Sequence, residues 1–555
     1  MRSTLGAFSW LASAGAAVCI AAGCTRRGGC RGDYCGTLVI AAPGEVTTLL
    51  PPVTDAALDR DVFDQLFLKL ADIGPEANTI GERGFEPQLA ERWEWTGPLT
   101  LTFHLDPRAR WQDGRPVTAS DVAFSFDVYA DSVIDSPFRP SLRHLKSVTG
   151  SDSLTVVMTF RDRYPEMFYD AVYHVRVLPA HLLQSVPRTD WRTAAFGRAP
   201  VGDGPYRLVQ WPPGQSLELV ADSTFFLGRP HLRRLIWRFT ADLTVAVTQV
   251  VAGEADAIQV LVSPANITRA EAAGHLATYV YPGSTYTLLE YNQHADGART
   301  RPHPIFGDPD VRRAMVFATD RERMAQSVFA GHAKVPPAPI PQFWTGLWFP
   351  DLPVPPYDTA QAAALLARRG WRDTDHDGIR DRGGKKLSFH LAVPTTSAAR
   401  KQYAQLIQEQ LRAVGVDVVI DEMELATLQE RTRSGHYDAA LQSWNADPSP
   451  SSSMPQIWRA NGNGNFTGYA NPTFDRQVEQ AVSAKTPDDA AAAWRAALTT
   501  LVQDAPAIML YALDNVAAVD RRVTDVRLRP DSWWAYLRTW RIPLDRITDR
   551  DRVGR

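Results

Sequence analysis

Four aspartates stand close together in one short segment of the chain: Asp373, Asp375, Asp377 and Asp381. Carboxylates at alternate positions, with Gly378 at the sixth place, match the first half of a calcium-binding loop. The twelfth place, where such a loop has an acid that binds the ion through both oxygens, holds Gly384. The same residues suit a metal-free turn before the strand expected at Leu387–Val393. Both interpretations, calcium site and turn, stay open.

We find no convincing catalytic motif elsewhere. Gly214–Glu218 lacks the second glycine of the turn that exposes a nucleophilic serine. The 12 histidines have no metal-ligand spacing, and no His-Glu-x-x-His sequence is present. Gly462–Phe466 is rich in glycine, but no helical segment follows it, as a phosphate-binding loop requires. We therefore predict that the protein is not an enzyme and needs no cofactor.

The cysteines are confined to the start of the chain, at Cys19, Cys24, Cys30 and Cys35. Their absence from the rest of the sequence excludes a disulfide framework, a thiolate metal site and a cysteine nucleophile there. Cys30 and Cys35 are close enough in sequence to pair in an oxidising compartment. We predict that disulfide, with two free thiols in a linker as the alternative.

Residues 1–23 have the pattern of a secretory signal, with one positive charge at Arg2 and an apolar run, Leu5–Ala22. The run ends in Ala21–Cys24, which resembles a bacterial lipobox, so Cys24 is predicted to carry the lipid. Residues 24–36 are then a lipid-anchored linker; a plain cleaved signal is the alternative. No other stretch approaches the ~18 uncharged apolar residues of a membrane span. We expect an exported protein, anchored to the membrane on its periplasmic or cell-surface side.

The composition narrows the class of protein. A chain of 555 residues is too long for one core and predicts several domains. Hydrophobic residues make up 45% and charged residues 22%, which is globular composition and excludes disorder, collagen-like repeats and coiled coil as the main architecture. A formal charge of −3 gives no basic field for nucleic acid. We expect no nucleic-acid partner, and a monomer.

The elements that would position a site alternate between strands and helices. Thr37–Ala41 is typical of a buried strand and Leu99–Leu105 of a half-buried one. A helix is expected at Val62–Phe67. Another is expected after Thr118, with Thr118 as N-cap and Asp121 completing a variant of the capping box.

The same alternation continues in the second half of the chain. Thr359–Arg369 and Ala404–Val414 have the apolar spacing of amphipathic helices, and Val416–Ile420 follows the second of them as a strand. Such a pattern predicts α/β lobes with mixed sheets.

Several segments form a recognisable series along the chain: Trp111–Val122, Gly202–Tyr206, Tyr291–Asn292 with Asp310–Ala314 and Asp320–Arg321, Tyr357–Asp358 with Leu365–Leu366 and Gly370–Trp371, and Gly435–Asp438. In this order and spacing they resemble the family 5 extracellular solute-binding proteins of bacterial ABC importers, the dipeptide, oligopeptide and nickel group. The resemblance covers about residues 37–540. Asp203 stands where the family's Gly-Thr-Gly-Pro-Tyr turn has threonine.

The resemblance implies an α/β, two-lobed periplasmic-binding-protein fold of the class II type, with mixed sheets and an extra subdomain in the first lobe. A ligand in the cleft would stabilise the closed form by its higher affinity for that form. Candidate hinges are Gly283–Tyr286 and Asp504–Pro506. The implied division is first lobe 37–84, 199–285 and 511–545, subdomain 85–198, and second lobe 286–510.

The resemblance also implies where ligand binds. In peptide-binding members an aspartate in a Trp-x-Ala-Asp context pairs with the ligand ammonium, and Asp447 has that place after Trp444 and Asn445. A desolvated carboxylate beside an aromatic wall suits a primary ammonium. The alternatives are a lobe-core role for Trp444 and a turn role for Asp447 before Pro448. Further candidates lie in segments that face the cleft in relatives: Asp55, Tyr286 and Asn463.

The function implied is an exported, lipid-anchored receptor that captures short peptides and delivers them to an ABC permease. One alternative keeps the fold and changes the ligand to a nickel chelate, an oligosaccharide or an opine. Another is a surface-anchored peptide-binding chaperone or sensor without a transport role.

Overall fold

The computed structural model describes residues 34–552, apart from residues 296, 345 and 447 and the side chains of residues 298 and 299. Three predictions fall outside this part of the chain: the signal segment, the lipid site Cys24 and the ammonium-binding Asp447. All elements below lie within the described residues.

The strands contribute to one large sheet and several small ones. They are β1 (Thr37–Pro43), β2 (Ala71–Asp72), β3 (Glu86–Pro87), β4 (Ala90–Gly97), β5 (Thr100–Leu105), β6 (Leu145–Gly150), β7 (Thr155–Phe160), β8 (Tyr206–Gln210), β9 (Ser216–Ala221), β10 (Arg234–Thr240), β11 (Ala257–Ile258), β12 (Leu276–Tyr291), β13 (His294–Ala295), β14 (Ala298–Pro302), β15 (Ala333–Lys334), β16 (Asp381–Arg382), β17 (Lys385–Lys386), β18 (Ser388–Pro394), β19 (Asp417–Met423), β20 (Ala439–Asn445) and β21 (Ala507–Asp520).

The α-helices alternate with these strands. They are α1 (Ala57–Phe63), α2 (Ala119–Ala130), α3 (Met167–Val172), α4 (Ala180–Leu183), α5 (Leu243–Val251), α6 (Pro264–Ala272), α7 (Pro309–Phe317), α8 (Arg321–Phe329), α9 (Thr359–Arg368), α10 (Ala398–Arg412), α11 (Leu425–Ser434), α12 (Pro450–Trp458), α13 (Pro472–Val482), α14 (Pro487–Asp504) and α15 (Asp549–Arg552). Among the described helices, none is both long and apolar enough to cross a membrane.

The large sheet has the strand order β19-β18-β20-β12-β21-β11-β1-β10-β9-β8, with β15 also paired to β21. Pairing is parallel between β1 and β10 and between β18 and β19, and antiparallel around β12 and β21. A second sheet, β4-β5-β7-β6, is antiparallel throughout and lies within the predicted subdomain. The fold is therefore mixed α/β, as the sequence predicted.

Local sequence accounts for several element boundaries. The backbone N–H of Thr118 donates to Asp121 Oδ2 at 2.9 Å, so the predicted capping box begins α2. Helix α10 begins at Ala398 rather than at Ala404, because Ser397 Oγ accepts the N–H of Arg400 at 3.3 Å and caps the helix there.

One predicted helix is displaced. The expectation at Val62–Phe67 was wrong in its bounds, since α1 ends at Phe63. The carbonyl of Leu66 instead accepts the N–H groups of Asp203 (3.0 Å) and Gly204 (2.8 Å). These long-range bonds use the carbonyl that a continuing helix would pair with a later N–H, and residues 64–66 form a turn.

The two faces of β12 belong to different hydrophobic cores. Tyr286 and Leu288 pack in the core that includes the first half of the chain, whereas Leu289 and Tyr291 pack in a core built on α7, α8, α9 and α10. This strand therefore links the two halves of the molecule, and the site described below lies beside it.

Buried polar contacts join the predicted subdomain to Asp64 and to the segment that contains Arg529 and Asp531. The guanidinium of Arg176 donates to both oxygens of Asp64, at 2.8 and 3.1 Å. Nearby, the Tyr173 hydroxyl donates to Asp531 Oδ2 at 3.1 Å, and Arg529 Nε donates to Asp531 Oδ1 at 2.6 Å. We call these five residues the arginine junction.

Candidate ligand-binding site

Strands β12 and β21 run side by side along both halves of the large sheet, and their pairing changes register near the middle. One shift lies between Pro282 and Tyr286 of β12, opposite Leu513, and a second lies between Thr287 and Leu288. Gly283 approaches the Leu513 carbonyl so closely that a side-chain carbon would collide with it. The irregular segment coincides with the predicted hinge Gly283–Tyr286, whose motion stays a prediction.

Strand β20 pairs with β12 next to this segment and leaves part of its other edge open. The Ala446 N–H donates to the Ser284 carbonyl at 2.9 Å, so the main-chain groups of Ala446 face β12. In an antiparallel pair the main-chain groups of successive residues point alternately towards and away from the partner strand. Those of Ser443 and Asn445 therefore point away from β12. On that side, the described pairing of β20 with β18 stops at Ala440. We call the main-chain groups of Ser443 and Asn445 the β20 edge.

An aromatic wall lies beside the β20 edge. Tyr286 is directly opposite Trp444 in the ladder and is 1% exposed. Burial raises the pKa of its hydroxyl above the ordinary value, so Tyr286 is neutral. The half-buried Trp444 ring stacks on Phe466 with 5.8 Å between centroids.

Polar side chains meet at the end of the same strands. Asn445 is exposed, and its Oδ1 accepts hydrogen bonds from Ser284 Oγ at 2.6 Å and Thr285 Oγ1 at 3.4 Å. These contacts fix the orientation of the Asn445 side chain beside the β20 edge. An open backbone edge next to an aromatic wall can take up an extended chain by strand addition, largely independently of its side chains.

The structure brings some of the predicted ligand-binding residues together. Tyr286, Trp444 and Asn445 are neighbours. Asn463 is exposed and precedes Gly464, which lies against the Trp444 ring. Asp55 is exposed in the loop before α1, and no described contact joins it to the aromatic wall.

A buried contact near the site was missed by the sequence analysis. Glu166, just before α3, is 3% exposed and accepts hydrogen bonds from Thr79 Oγ1 (3.0 Å) and Ser449 Oγ (2.8 Å). Ser449 caps α12, the helix that follows the predicted ligand-binding segment. We call Thr79, Glu166 and Ser449 the Glu166 seam. No local sequence pattern signals it, because Glu166 and Ser449 are 283 residues apart.

The acidic cluster assembles as the sequence suggested, although only in part. Carboxylate oxygens of Asp373, Asp375 and Asp377 lie within 4.8 Å of one another and are exposed. The Lys386 ammonium contacts Asp377 and lies 3.6 Å from Asp375, which supplies positive charge without a metal. Asp381 instead accepts hydrogen bonds from the backbone and side chain of Thr374, at 2.9 and 2.7 Å. Calcium binding stays a prediction.

The cysteine prediction lies at the boundary of the described residues. Cys35 is buried, 1% exposed, and disulfide-bonded. Cys30 lies outside the described residues, so its pairing with Cys35 stays a prediction.

These features define a two-lobed solute-binding fold with its candidate site beside the strands that connect the lobes. The family model for bacterial extracellular solute-binding proteins, family 5 (middle region), matches residues 84–466. The chain belongs to this family of bacterial ABC importers, whose members are binding proteins rather than enzymes.

Individual relatives agree with that assignment. The oligopeptide-binding protein AppA of Bacillus subtilis (strain 168) is 26% identical over 515 residues, which cover 90% of this chain and 91% of AppA. The structure of AppA in complex with a nonapeptide has a TM-score of 0.68 at 25% identity, covering 91% of this chain and 99% of that one.

Two further structures show the same fold at lower identity. The ABC transporter substrate-binding protein CtaP of Listeria monocytogenes has a TM-score of 0.79 at 20% identity, covering 92% of this chain and 99% of CtaP. NikZ of Campylobacter jejuni, in complex with Ni(L-His), has a TM-score of 0.70 at 21% identity, covering 91% and 99%.

Proposed function

We propose that this protein captures short peptides outside the cytoplasmic membrane and delivers them to an ABC permease. The observation that carries the proposal is the β20 edge, where the main-chain groups of two residues have no partner strand among the described residues and lie beside an aromatic wall. Main-chain pairing suits a receptor for peptides of varied sequence, because every peptide has the same backbone. The similarity to the oligopeptide-binding protein AppA supports the same ligand class.

The proposal includes the division of the chain and its attachment. The first lobe comprises residues 37–84, 199–285 and 511–545, the subdomain 85–198, and the second lobe 286–510. Residues 1–23 are removed on export, and a lipid on Cys24 holds the mature protein at the membrane. Two acyl chains give stable anchoring where one gives marginal binding.

In this proposal Asp447 supplies the negative charge that pairs with the amino-terminal ammonium of the peptide. It follows the β20 edge by two residues in the sequence. In a closed cleft the peptide ammonium loses water and needs a compensating negative charge. A charge-assisted hydrogen bond contributes about 1.5–3 kcal/mol, or roughly ten- to a hundredfold in affinity.

The test is a calorimetric titration of free-amine and N-acetylated forms of the same short peptides. Asp447→Asn keeps the side-chain shape and removes the charge, so we expect free-amine peptides to bind roughly ten- to a hundredfold more weakly. Acetylated peptides should already bind poorly to the unmutated protein and lose little more. The double cycle separates charge pairing from general damage to the cleft.

A matched control removes an aspartate charge elsewhere on the same sheet. Asp417→Asn on β19 should leave both peptide forms unaffected. Equal binding of free and acetylated peptides by the unmutated protein would show that Asp447 does not hold an ammonium. A nickel chelate, an oligosaccharide or an opine would then be the better ligand.

A further inference from the structure

Glu166 joins three parts of the chain at one buried carboxyl group. Its Oε1 accepts from Thr79 of the proposed first lobe, at 3.0 Å, and its Oε2 accepts from Ser449 of the proposed second lobe, at 2.8 Å. Glu166 itself belongs to the proposed subdomain. Ser449 Oγ also accepts the backbone N–H of Ser452 at 3.3 Å, so the contact holds the first turn of α12. That turn begins three residues after Asp447.

Mostly polar side chains surround a space beside this buried carboxyl group. A cavity of about 350 Å³ lies between the subdomain and the second lobe and is lined by Glu166, Ser449 and Ser452. Its charged side chains are mostly paired with each other: His144 with Asp162 at 2.9 Å, His174 with Asp170 at 3.2 Å, and Arg459 with Glu479 at 2.9 Å. The remaining titratable groups around it are Arg143, Arg163, Tyr164 and Tyr169.

None of these groups makes an ion pair with Glu166 among the described contacts. Burial, and after it the negative charge of Asp170, raise the pKa of Glu166 to about 8. Hydrogen bonds from Ser451, Ser449 and Thr79 oppose this shift and do not cancel it. In an open form, where Ser449 has moved away and water reaches the carboxyl group, the pKa returns towards the ordinary value.

We propose that Glu166 is a positioning residue that holds the start of α12, and with it the ligand-binding segment, when the lobes close, and that it does so in its neutral, protonated form. A neutral carboxyl group can bond to both hydroxyls without the cost of burying a charge. Closure then takes up one proton. The proposal depends on the two-lobed fold and does not depend on what the ligand is.

The direction of the pH effect follows from this proton uptake. Below the ordinary glutamate pKa, Glu166 is protonated in both forms and pH has no effect through it. As pH rises from there to about 8, only the closed form keeps the proton, so the closed form becomes progressively less favoured. One proton changes the ratio of closed to open protein by at most about tenfold per pH unit.

The experiment measures the lobe arrangement of the ligand-free, full chain by pulsed electron spin resonance between two spin labels. No cysteine follows Cys35, so labels can be placed at Val133→Cys in the subdomain and Val419→Cys on β19, which are 58% and 38% exposed. We expect the short-distance population to fall between pH 5 and pH 9. Glu166→Gln, which imitates the neutral form, should keep that population high at both pH values.

A second buried glutamate provides the matched control. Glu290 on β12 is 2% exposed, and burial raises its pKa to about 8 as well, but its proposed surroundings lie within the second lobe. Glu290→Gln should therefore retain the pH response of the unmutated protein. A distance distribution that does not change with pH, or a response that survives in Glu166→Gln, would overturn the proposal.

The test of Glu166 and the test of peptide binding are independent of each other. Peptide titrations with the unmutated protein test ligand class, whereas the spin-label distances test Glu166 without ligand. If the protein binds no peptide but its lobes still separate as pH rises, the role of Glu166 is supported and the peptide-binding proposal is wrong.

Discussion

The proposed subdomain, residues 85–198, meets the proposed first and second lobes through very different contacts. Towards the first lobe it uses the arginine junction, where Arg176 and Asp64 make a bidentate ion pair and Tyr173 and Arg529 both bond to Asp531. Towards the second lobe it uses the Glu166 seam, a carboxyl group bonded to two hydroxyls beside a polar cavity of about 350 Å³.

The difference predicts which contact breaks in the proposed opening of the lobes. Separating a buried ion pair leaves charges without partners in a poorly hydrated site, which costs several kcal/mol. Separating a hydroxyl from a carboxyl group beside a cavity lets water replace the bond at little net cost. We therefore expect the subdomain to move with the first lobe and to part from the second.

The largest expected effect comes from breaking the arginine junction. Arg176→Met removes the charge, keeps much of the side-chain volume, and leaves Asp64 buried without its partner. We expect the free energy of unfolding to fall by about 3–5 kcal/mol, measured by chemical denaturation.

An exposed ion pair provides the comparison for that variant. Arg433 contacts Glu430 at 3.1 Å, with both side chains more than 60% exposed. Arg433→Ala should change the free energy of unfolding by less than about 1 kcal/mol. Similar losses in the two variants would mean that the arginine junction is no stronger than a surface contact.

A smaller effect is expected at the Glu166 seam. Ser449→Ala removes one hydrogen bond of about 0.5–1.5 kcal/mol, and the proposal assigns this bond to the closed form alone, so peptide affinity should weaken roughly two- to tenfold. Because Ser449 also caps α12, the free energy of unfolding should fall by about 0.5–2 kcal/mol, the loss expected for a helix cap alone. Isothermal titration and thermal melting measure the two quantities. A much larger loss in the free energy of unfolding, with unchanged peptide affinity, would mean that the Ser449–Glu166 contact does not break when the lobes open.

The sequence predicted the fold class through segments whose chemistry is local. The capping box at Thr118 and the buried strand β1 depend on neighbouring residues, and both are present. Tyr286, Trp444 and Asn445 were predicted from the resemblance and lie together, because a β-ladder fixes which residues are opposite. Asp55 was also predicted, and no described contact brings it to them.

What could not be predicted depends on distant residues. The arginine junction joins Asp64 to Arg176 and Tyr173 to Asp531, pairs that are 112 and 358 residues apart. Neither their spacing nor any periodic pattern distinguishes these charges from the other acidic and basic residues of the chain. Only the packing of the lobes decides which of them become buried partners.

The account rests on peptide binding by strand addition at the β20 edge, and amide hydrogen exchange with and without a bound short peptide tests it most directly. In the free protein the N–H groups of Ser443 and Asn445 should exchange quickly. A saturating peptide should slow both, whereas Trp444, whose N–H faces β12, should change little. Demonstrated peptide binding with unchanged exchange at Ser443 and Asn445 would contradict the account.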